Sequence, residues 1–289
     1  MRSSMFKHIS KIPAGQVAVP VKLLFDGHND SKEVIECPDW SYFLIHENGT
    51  KIVWDLGLLK DLEQYPPSIL SYCYEYEPIA PEKNAAEYLQ QEHGFKPEEV
   101  DYVIFSHAHW DHCQPPFEMF PRAKVIFGAG TANGVNGSSG AAPGYPENPD
   151  GTVFGEFFSG EFASRVRELK DADYTVQIGD FTRAYDLFKN GSCLLIDAPG
   201  HMPGNQCMLV RHVAGEWVVL GGDTAHARAL IDGGKSCATW TENGETQSMH
   251  ADLVAATKSM RWLENLIKKD GVIGGARLCL AHDANVSLP

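Results

Sequence analysis

Six consecutive residues, His107-Ala108-His109-Trp110-Asp111-His112, bring three imidazoles and a carboxylate together directly after the apolar run Tyr102-Val103-Ile104-Phe105. Imidazole nitrogen and carboxylate oxygen are donors that suit Zn²⁺, and manganese or iron would accept the same set. Side chains of an extended chain alternate between its faces, so His107 and His109 are expected to converge on one point. A turn beyond Trp110 would aim Asp111 and His112 at a second. Cys113 follows directly, and a lone thiol there reads as a packing residue rather than a nucleophile.

Further donors stand at the ends of other apolar runs. Ser192 to Asp197 leads into Ala198-Pro199-Gly200-His201-Met202-Pro203-Gly204, a tight turn that presents one imidazole. Glu216 to Leu220 leads into Gly221-Gly222-Asp223, and Arg277 to Ala281 leads into His282-Asp283. Taken singly, His201, Asp223 and His282 would be ordinary buried polar residues. Added to the hexapeptide they complete a set of seven, which is what two adjacent ions need when one carboxylate is shared.

The remaining sequence reads as the elements that must carry these donors. Residues 17 to 25 form an apolar strand candidate with Pro20 marking an edge or irregularity. Trp40 to Ile45 and Lys51 to Trp54 read as a hairpin joined through Asn48-Gly49, a strong turn signal. Asp55 closes the second strand, either as a plain turn residue or as an acceptor beneath the metal loop. Asn84 to His93 reads as a helix capped by Asn84 and stopped by Gly94. Ala123 to Phe127 and Asn205 to Val210 are further strands. Ala251 to Lys268 is the clearest helix, with Leu253, Thr257, Met260, Leu263 and Ile267 on one stripe.

Gly128 to Gly155 is dense in Gly, Pro, Asn and Ser and too long for an ordinary connection, which points to a lid. Phe154, Phe157, Phe158 and Phe162 follow it, as core residues or as the apolar wall of a substrate chamber. Two halves with the same order of strand then ligand suggest a pseudo-duplicated sandwich.

At 289 residues, 43% hydrophobic and 21% charged, the chain can bury one sizeable core. A formal charge of -14 opposes binding to nucleic acid or to an anionic membrane and leaves a small-molecule substrate as the expected partner. The segment Met1 to His8 has no apolar core of a secretion signal, and no run approaches 18 apolar residues. The seven cysteines are odd in number and scattered without a C-x-x-C pair, which fits reduced thiols. These features together predict a soluble, cytoplasmic protein.

The order H-A-H-W-D-H, A-P-G-H-M-P-G, G-G-D and L-A-H-D, spread from about Trp40 to His282, resembles the metallo-β-lactamase-fold hydrolases. Within them it looks most like the N-acyl-homoserine lactonase-like branch and its fungal lactonase and lactamase relatives. The resemblance implies an α+β fold, a four-layer αββα sandwich, with residues 1–289 as one domain carrying a lid-like insertion around 128–175. It also implies that His107, His109 and His201 hold a first zinc, that Asp111, His112 and His282 hold a second, and that Asp223 bridges them. Asp55 would then sit beneath the metal loop, and Asp55 and Asp283 would be partners for the second nitrogens of the ligand imidazoles.

One departure stands out. Lactonases of this branch usually carry a tyrosine three residues after the bridging aspartate, where this chain has His226. An imidazole there could donate a hydrogen bond or a proton to the leaving group near neutrality. The implied activity is a dinuclear zinc hydrolase that opens a lactone or lactam ring of a small, apolar or aromatic substrate with hydroxide generated at the metals. Asp111 and His226 are its candidate catalytic residues. The rival activities on the same donors are a thioesterase, of glyoxalase or polyketide-releasing type, and a phosphotriesterase-like hydrolase.

Overall fold

Residues 5–136, 144–179 and 182–289 are described by the computed structural model. Near-continuous apolar runs are the sequence signature of strands buried on both faces, because alternate side chains must fill two different layers. The structure sorts them in that way. On β3 (Lys51–Trp54) and β4 (Tyr102–Ile104), Ile52, Trp54 and Ile104 face inward while Val53 and Val103 face outward. On β9 (Cys193–Asp197), β10 (Gln206–Arg211) and β11 (Trp217–Gly222), Leu195, Met208, Val210, Val218 and Leu220 point into the same inner layer. Leu194, Ile196, Leu209 and Val219 point the other way.

Two six-stranded sheets result. The first runs β1-β2-β3-β4-β5-β6, adding β1 (Phe6–Pro20), β2 (Val34–His46), β5 (Lys124–Phe127) and β6 (Val166–Glu168). The second runs β14-β11-β10-β9-β8-β7, adding β7 (Val176–Ile178), β8 (Thr182–Asp186) and β14 (Ala276–Leu280). A small hairpin of β12 (Trp240–Glu242) and β13 (Glu245–Gln247) stands apart. Short helices α1 (Val21–Leu24), α2 (Pro67–Leu70), α4 (Thr131–Asn136) and α5 (Arg228–Ile231) join the strands. The longer helices cover the outer faces: α3 (Ala85–His93) packs Ala85, Ala86 and Leu89 beside Val53 and Val103, and α6 (Leu253–Ile267) packs Ala256, Leu263 and Leu266 beside Ile196 and Leu209. This mixed, layered α+β arrangement is the expected sandwich.

Strand direction explains why the donors meet. Strands β3 and β4 are parallel, and so are β11 and β14. β9 is antiparallel to β10, which is antiparallel to β11, so β9 also points with β11. All five therefore end at one edge of their sheet, and the turns after them carry Asp55, the hexapeptide, His201, Asp223 and His282. Gln206 stitches the two edges together: its N–H donates to the Ser106 carbonyl at 2.8 Å and its Nε2 to the Phe105 carbonyl at 2.8 Å.

Several local expectations need correction. The strand expected over residues 17 to 25 starts much earlier, at Phe6, and stops at Pro20, after which Val21–Leu24 form a helical turn. Register shifts between Phe6 and His8 and between Pro13 and Gln16 break the period-two pattern, which hides the first half of β1 from sequence. The buried stripe of α6 is Ala256, Ser259, Met260, Leu263 and Leu266, about one position away from the expected stripe, while Thr257 and Ile267 are only partly buried. The helix expected over 84 to 93 has its capping box, Asn84 with Glu87, and a left-handed Gly94 at φ 69°. All seven cysteines are free thiols. No helix among the described residues is long and apolar enough to cross a membrane.

Of the segment expected to form a lid, residues 137–143 lie outside the described residues. Residues 1–4 of the segment Met1 to His8 do so as well. Phe157 packs against Phe105, Phe117 and Phe127 in the outer layer of the first sheet, with Phe154, Phe158 and Phe162 against the same cluster. Phe157 is a core residue, and the other three are partly buried against the same layer, away from the metal-type donors.

Gly200 carries the His201 turn past α6 at φ 130°, and a Cβ there would stand 2.1 Å from the Ala256 backbone nitrogen. Gly200→Ala is expected to lower stability by roughly 2 kcal/mol or more, through left-handed strain and the backbone clash together. Urea unfolding followed by circular dichroism measures this, and an unchanged midpoint would show that the turn can relax away from the helix.

Candidate metal centre

The turn after β4 is set by its neighbours. Asp55 adopts a left-handed conformation at φ 54°, tolerable for aspartate, and its N–H donates to the Ile104 carbonyl at 3.0 Å. This turns the carboxylate back under the loop, where Oδ1 accepts from the Ser106 N–H at 2.6 Å and Oδ2 from His112 Nδ1 at 3.2 Å. The Leu56 N–H then donates to the His112 carbonyl at 2.9 Å, and the Tyr65 hydroxyl to the Trp110 carbonyl at 2.8 Å. Gly222, at φ 50°, leaves room for Ser106, since a Cβ there would meet the serine Cβ at 2.6 Å.

His107 Nε2, His109 Nδ1 and His201 Nε2 form a triangle with edges of 3.0, 2.8 and 3.2 Å. Their rings stand at 82° to 88° to one another. Three hydrogen bonds cannot explain three such edges. Each nitrogen is either a donor or an acceptor, and around a triangle at least two like atoms must face each other. A cation between them resolves the repulsion. Zn–N bonds of 2.0–2.1 Å in tetrahedral geometry would put the nitrogens roughly 3.3 Å apart, close to what is seen.

A second cluster, Asp111, His112, Asp223 and His282, lies beside the first. His112 Nε2 is 3.8 Å from Asp111 Oδ2 and 3.5 Å from Asp223 Oδ1, while His282 Nε2 is 3.6 Å and 3.3 Å from the same two oxygens. His112 Nε2 and Asp223 Oδ1 are buried without a hydrogen-bond partner among the described residues, as metal donors would be before loading. Asp223 joins the clusters. Its Oδ1 faces His112 and His282, and its Oδ2 lies 3.8 Å from His201 Nε2. The seven residues expected from sequence are thus all brought together, and the donors present fit two divalent ions.

Electrostatics points the same way. Burial drives the His107 and His201 imidazoles well below their usual range, with the neighbouring histidines adding to it, so the three-histidine cluster offers neutral lone pairs. In the second cluster burial opposes charge on the imidazoles, yet Asp223 and Asp111 hold His112 well above its usual range and bring His282 to about 9. Burial likewise opposes charge on Asp223, but His282 and His112 hold it well below the usual carboxylate range. The carboxylates demand positive charge here, and protons on His112 and His282 supply what a cation would.

The second nitrogens of the ligand imidazoles are held by the protein, which fixes their tautomers. His112 Nδ1 donates to Asp55, His107 Nδ1 meets Ser106 Oγ at 2.9 Å, and His282 Nδ1 donates to the Pro38 carbonyl at 3.1 Å. Asp283, expected from sequence as a partner for the second nitrogen of a ligand imidazole, is engaged elsewhere. It accepts from Arg228 Nε at 3.0 Å and from the Asn285 N–H at 2.8 Å, because the chain turns after His282 and points the acid away. Burial raises the Cys113 thiol well above its usual range, which suits its packing role.

His226 lies at the junction. Its Nε2 is 3.4 Å from Asp223 Oδ2, and its ring is 4.9 Å from that of His201. Burial pushes its pKa down to about 3, so the ring is neutral and offers an N–H rather than the imidazolium acid expected near neutrality.

Two buried residues of this region escaped the sequence reading. His250 Nδ1 faces His201 Nδ1 at 3.3 Å, and its loop clamps the His201 turn through Ala251 N–H to the His201 carbonyl and Asp252 N–H to that of Gly200, each at 2.9 Å. It lies in a loop rather than at a strand end, so no local signal marks it. Asp39 is an acid within the buried part of β2. A charge among apolar strand residues, Cys37-Pro38-Asp39-Trp40-Ser41, was the signal available.

A cavity of about 240 Å³ opens over the clusters, lined by His109, Asp111, His201, Asp223, His226 and His282 on its floor. Tyr72, Tyr76, Trp110, Trp240, Met249 and Val19 are among its walls. The expected chamber of phenylalanines is replaced by aromatic side chains from other segments.

A family model described as the metallo-beta-lactamase superfamily matches residues 36–113. The metallo-hydrolase mfmC of Annulohypoxylon moriforme is 33% identical over 65% of this chain and 48% of its own length. The gamma-lactamase MBL2 of Gibberella moniliformis is 32% identical over 61% of this chain and 70% of its own. The chain spans about half or less of the length of the first curated relatives it matches. Among solved structures, an N-acyl homoserine lactone hydrolase with the product N-hexanoyl-L-homoserine bound at its catalytic metal center superposes with a TM-score of 0.65. It covers 97% of this chain and 94% of that one at 17% identity, a likeness of fold. With the family model falling on the strands and hexapeptide that build the first half of the site, and a 32% identical relative spanned over most of its length, the chain belongs to the metallo-beta-lactamase superfamily.

Proposed function

We propose that this chain is a hydrolase that opens a lactone or lactam ring of a small, apolar or aromatic substrate at a centre of two zinc ions. Manganese or iron suits the same donors. The observation that carries the reading is Asp223, which turns one carboxylate oxygen toward each of two donor clusters on the floor of one cavity. His107, His109 and His201 would hold one ion, Asp111, His112 and His282 the other, with Asp223 between them. Divalent ions so held supply Lewis acidity and, from water, a nucleophile at neutral pH.

The chain's own residues do the rest. The walls of Tyr72, Tyr76, Trp110 and Trp240 seat a flat apolar ring and keep bulk water from its carbonyl. At about 240 Å³ the cavity lies below the usual range for ligand sites, which favours a compact ring over a long acyl chain. His226, neutral and beside Asp223, donates its N–H to the leaving oxygen or nitrogen. Such a donor takes the place of the tyrosine expected in lactonases. We read residues 1–289 as one domain, with a lid-like insertion around 128–175. The lactonase and gamma-lactamase names of its relatives support ring opening as the reaction class.

A panel of lactones, lactams, thioesters and a chromophoric phosphotriester, assayed with zinc-loaded protein and after chelation, tests the assignment. Turnover is expected on a bicyclic or aryl lactone or lactam and is expected to vanish on chelation; cleavage confined to thioesters would overturn it. Asp111→Asn is expected to leave the circular dichroism spectrum unchanged while metal content falls toward one ion per chain and turnover drops at least a hundredfold. Two ions per chain by elemental analysis would contradict its place as a ligand. His226→Ala is expected to cut kcat by about ten- to a hundredfold with both ions retained. An unchanged kcat would return His226 to a packing role.

A further inference from the structure

Asp39 has no function in the account above, yet its placement is hard to explain without one. It is 1% exposed, and neither of its carboxylate oxygens has a hydrogen-bond partner among the described residues. Two other buried acids of the region have hydrogen-bond donors on their carboxylates. Asp55 accepts from Ser106 and His112, and Asp283 accepts from Arg228 and Asn285. Burial holds the Asp39 carboxyl well above the usual carboxylate range, and a buried carboxyl without hydrogen-bond partners is destabilising, so a fold that keeps one must compensate it. Protonation does not resolve the matter, because the resulting O–H would also lack an acceptor among the described residues.

The compensation is identified by what lies next to it. β2 runs beside the end of β14: the Pro38 carbonyl accepts from His282 Nδ1 at 3.1 Å, and the Trp40 N–H donates to the Ala281 carbonyl at 3.1 Å. Trp40 Nε1 donates to the Asp283 carbonyl at 3.1 Å. Asp39 is held between these two residues, against the loop that presents His282. The side chains whose charge acts most on it are His112, His282, Asp111 and Asp223, the four members of the second cluster. It is not one of the donors that converge within 4.8 Å in that cluster.

We propose that Asp39 is a third carboxylate of the metal centre, acting from outside the ring of direct donors to bind more tightly the ion held by Asp111, His112, Asp223 and His282. The proposal rests on the reading of a two-ion centre. Its physical content is an asymmetry. The three-histidine position offers neutral imidazoles and one oxygen of Asp223, whereas the second position is faced by Asp111, the other oxygen of Asp223 and Asp39. Each divalent ion needs balancing charge in a buried site, and a carboxylate one layer out supplies it without occupying a coordination position. A cation in the second cluster in turn favours Asp39 as a carboxylate, against the burial that disfavours its charge.

The test uses the full chain loaded with zinc, with Asp39→Asn and Asp39→Ser beside the parent. Stepwise removal of zinc by a chromophoric chelator, with ions counted by elemental analysis, reads the affinity of each position. Thermal unfolding of the metal-stripped proteins reads any structural role. The parent is expected to hold two ions, and both variants to hold one of them as tightly as the parent and the other roughly ten- to a hundredfold more weakly. The stripped variants are expected to melt no lower than the stripped parent, since a buried carboxyl without hydrogen-bond partners has been removed. Parent-like affinity at both positions in both variants overturns the proposal, and so does a stripped variant that melts well below the stripped parent and loses both ions together. A parent that binds only one ion overturns the two-ion centre and this proposal with it. A parent that binds two ions and opens no ring leaves the assignment of Asp39 standing and removes only the ring-opening reading.

Discussion

Asp223 presents one oxygen to His112 and His282 and the other to His201 and His226, and the architecture around it serves to keep those groups in reach of a single carboxylate. Imidazoles from separate turns do not approach one another to about 3 Å by preference, because their lone pairs repel and their burial is costly. They are held there by a frame that is apolar and layered everywhere else. Where the two sheet edges are joined through Gln206, the frame leaves a cluster of polar side chains inside.

The same frame divides the donors chemically. Three neutral imidazoles meet on one side of Asp223, and acids with two imidazoles meet on the other. Burial lowers the first group, while the fields of Asp111 and Asp223 raise the second. Two positions with different charge are thereby built a few ångströms apart. Hydrogen bonds of the far nitrogens of His107, His112, His201 and His282 with Ser106, Asp55, His250 and the Pro38 carbonyl fix the orientation of those rings.

The cavity above the donors takes its walls from elements remote in sequence: Val17 and Val19 from β1, Tyr72 and Tyr76 from the segment after α2, Trp110 from the hexapeptide, and Trp240 from β12. Aromatic faces with a polar floor recognise flat apolar rings better than flexible chains. His226 adds an imidazole to the floor of this cavity, beside Asp223.

Strand periodicity suggested a layered sandwich and singled out seven donors, because each donor follows an apolar strand and the strand pattern is local; the αββα fold and the grouping of the donors came from the family that the motif order resembles. The Asn84 cap, the Asn48-Gly49 turn and the place of Asp55 under the loop were legible for the same reason. Tertiary structure alone decided what depends on distant segments meeting. Bulges in β1 shift the alternation that reveals a strand. The phenylalanines after residue 153 and the tyrosines near residue 74 look alike in sequence, and only packing sends the first to the outer layer of the first sheet and the second to the cavity. Asp283 seemed a partner for a ligand imidazole, but the chain direction gives it to Arg228. His250 and Asp39 reach the centre from a loop and from a strand with no motif of their own, because proximity in a folded chain is set by sheet topology and not by neighbours along the backbone.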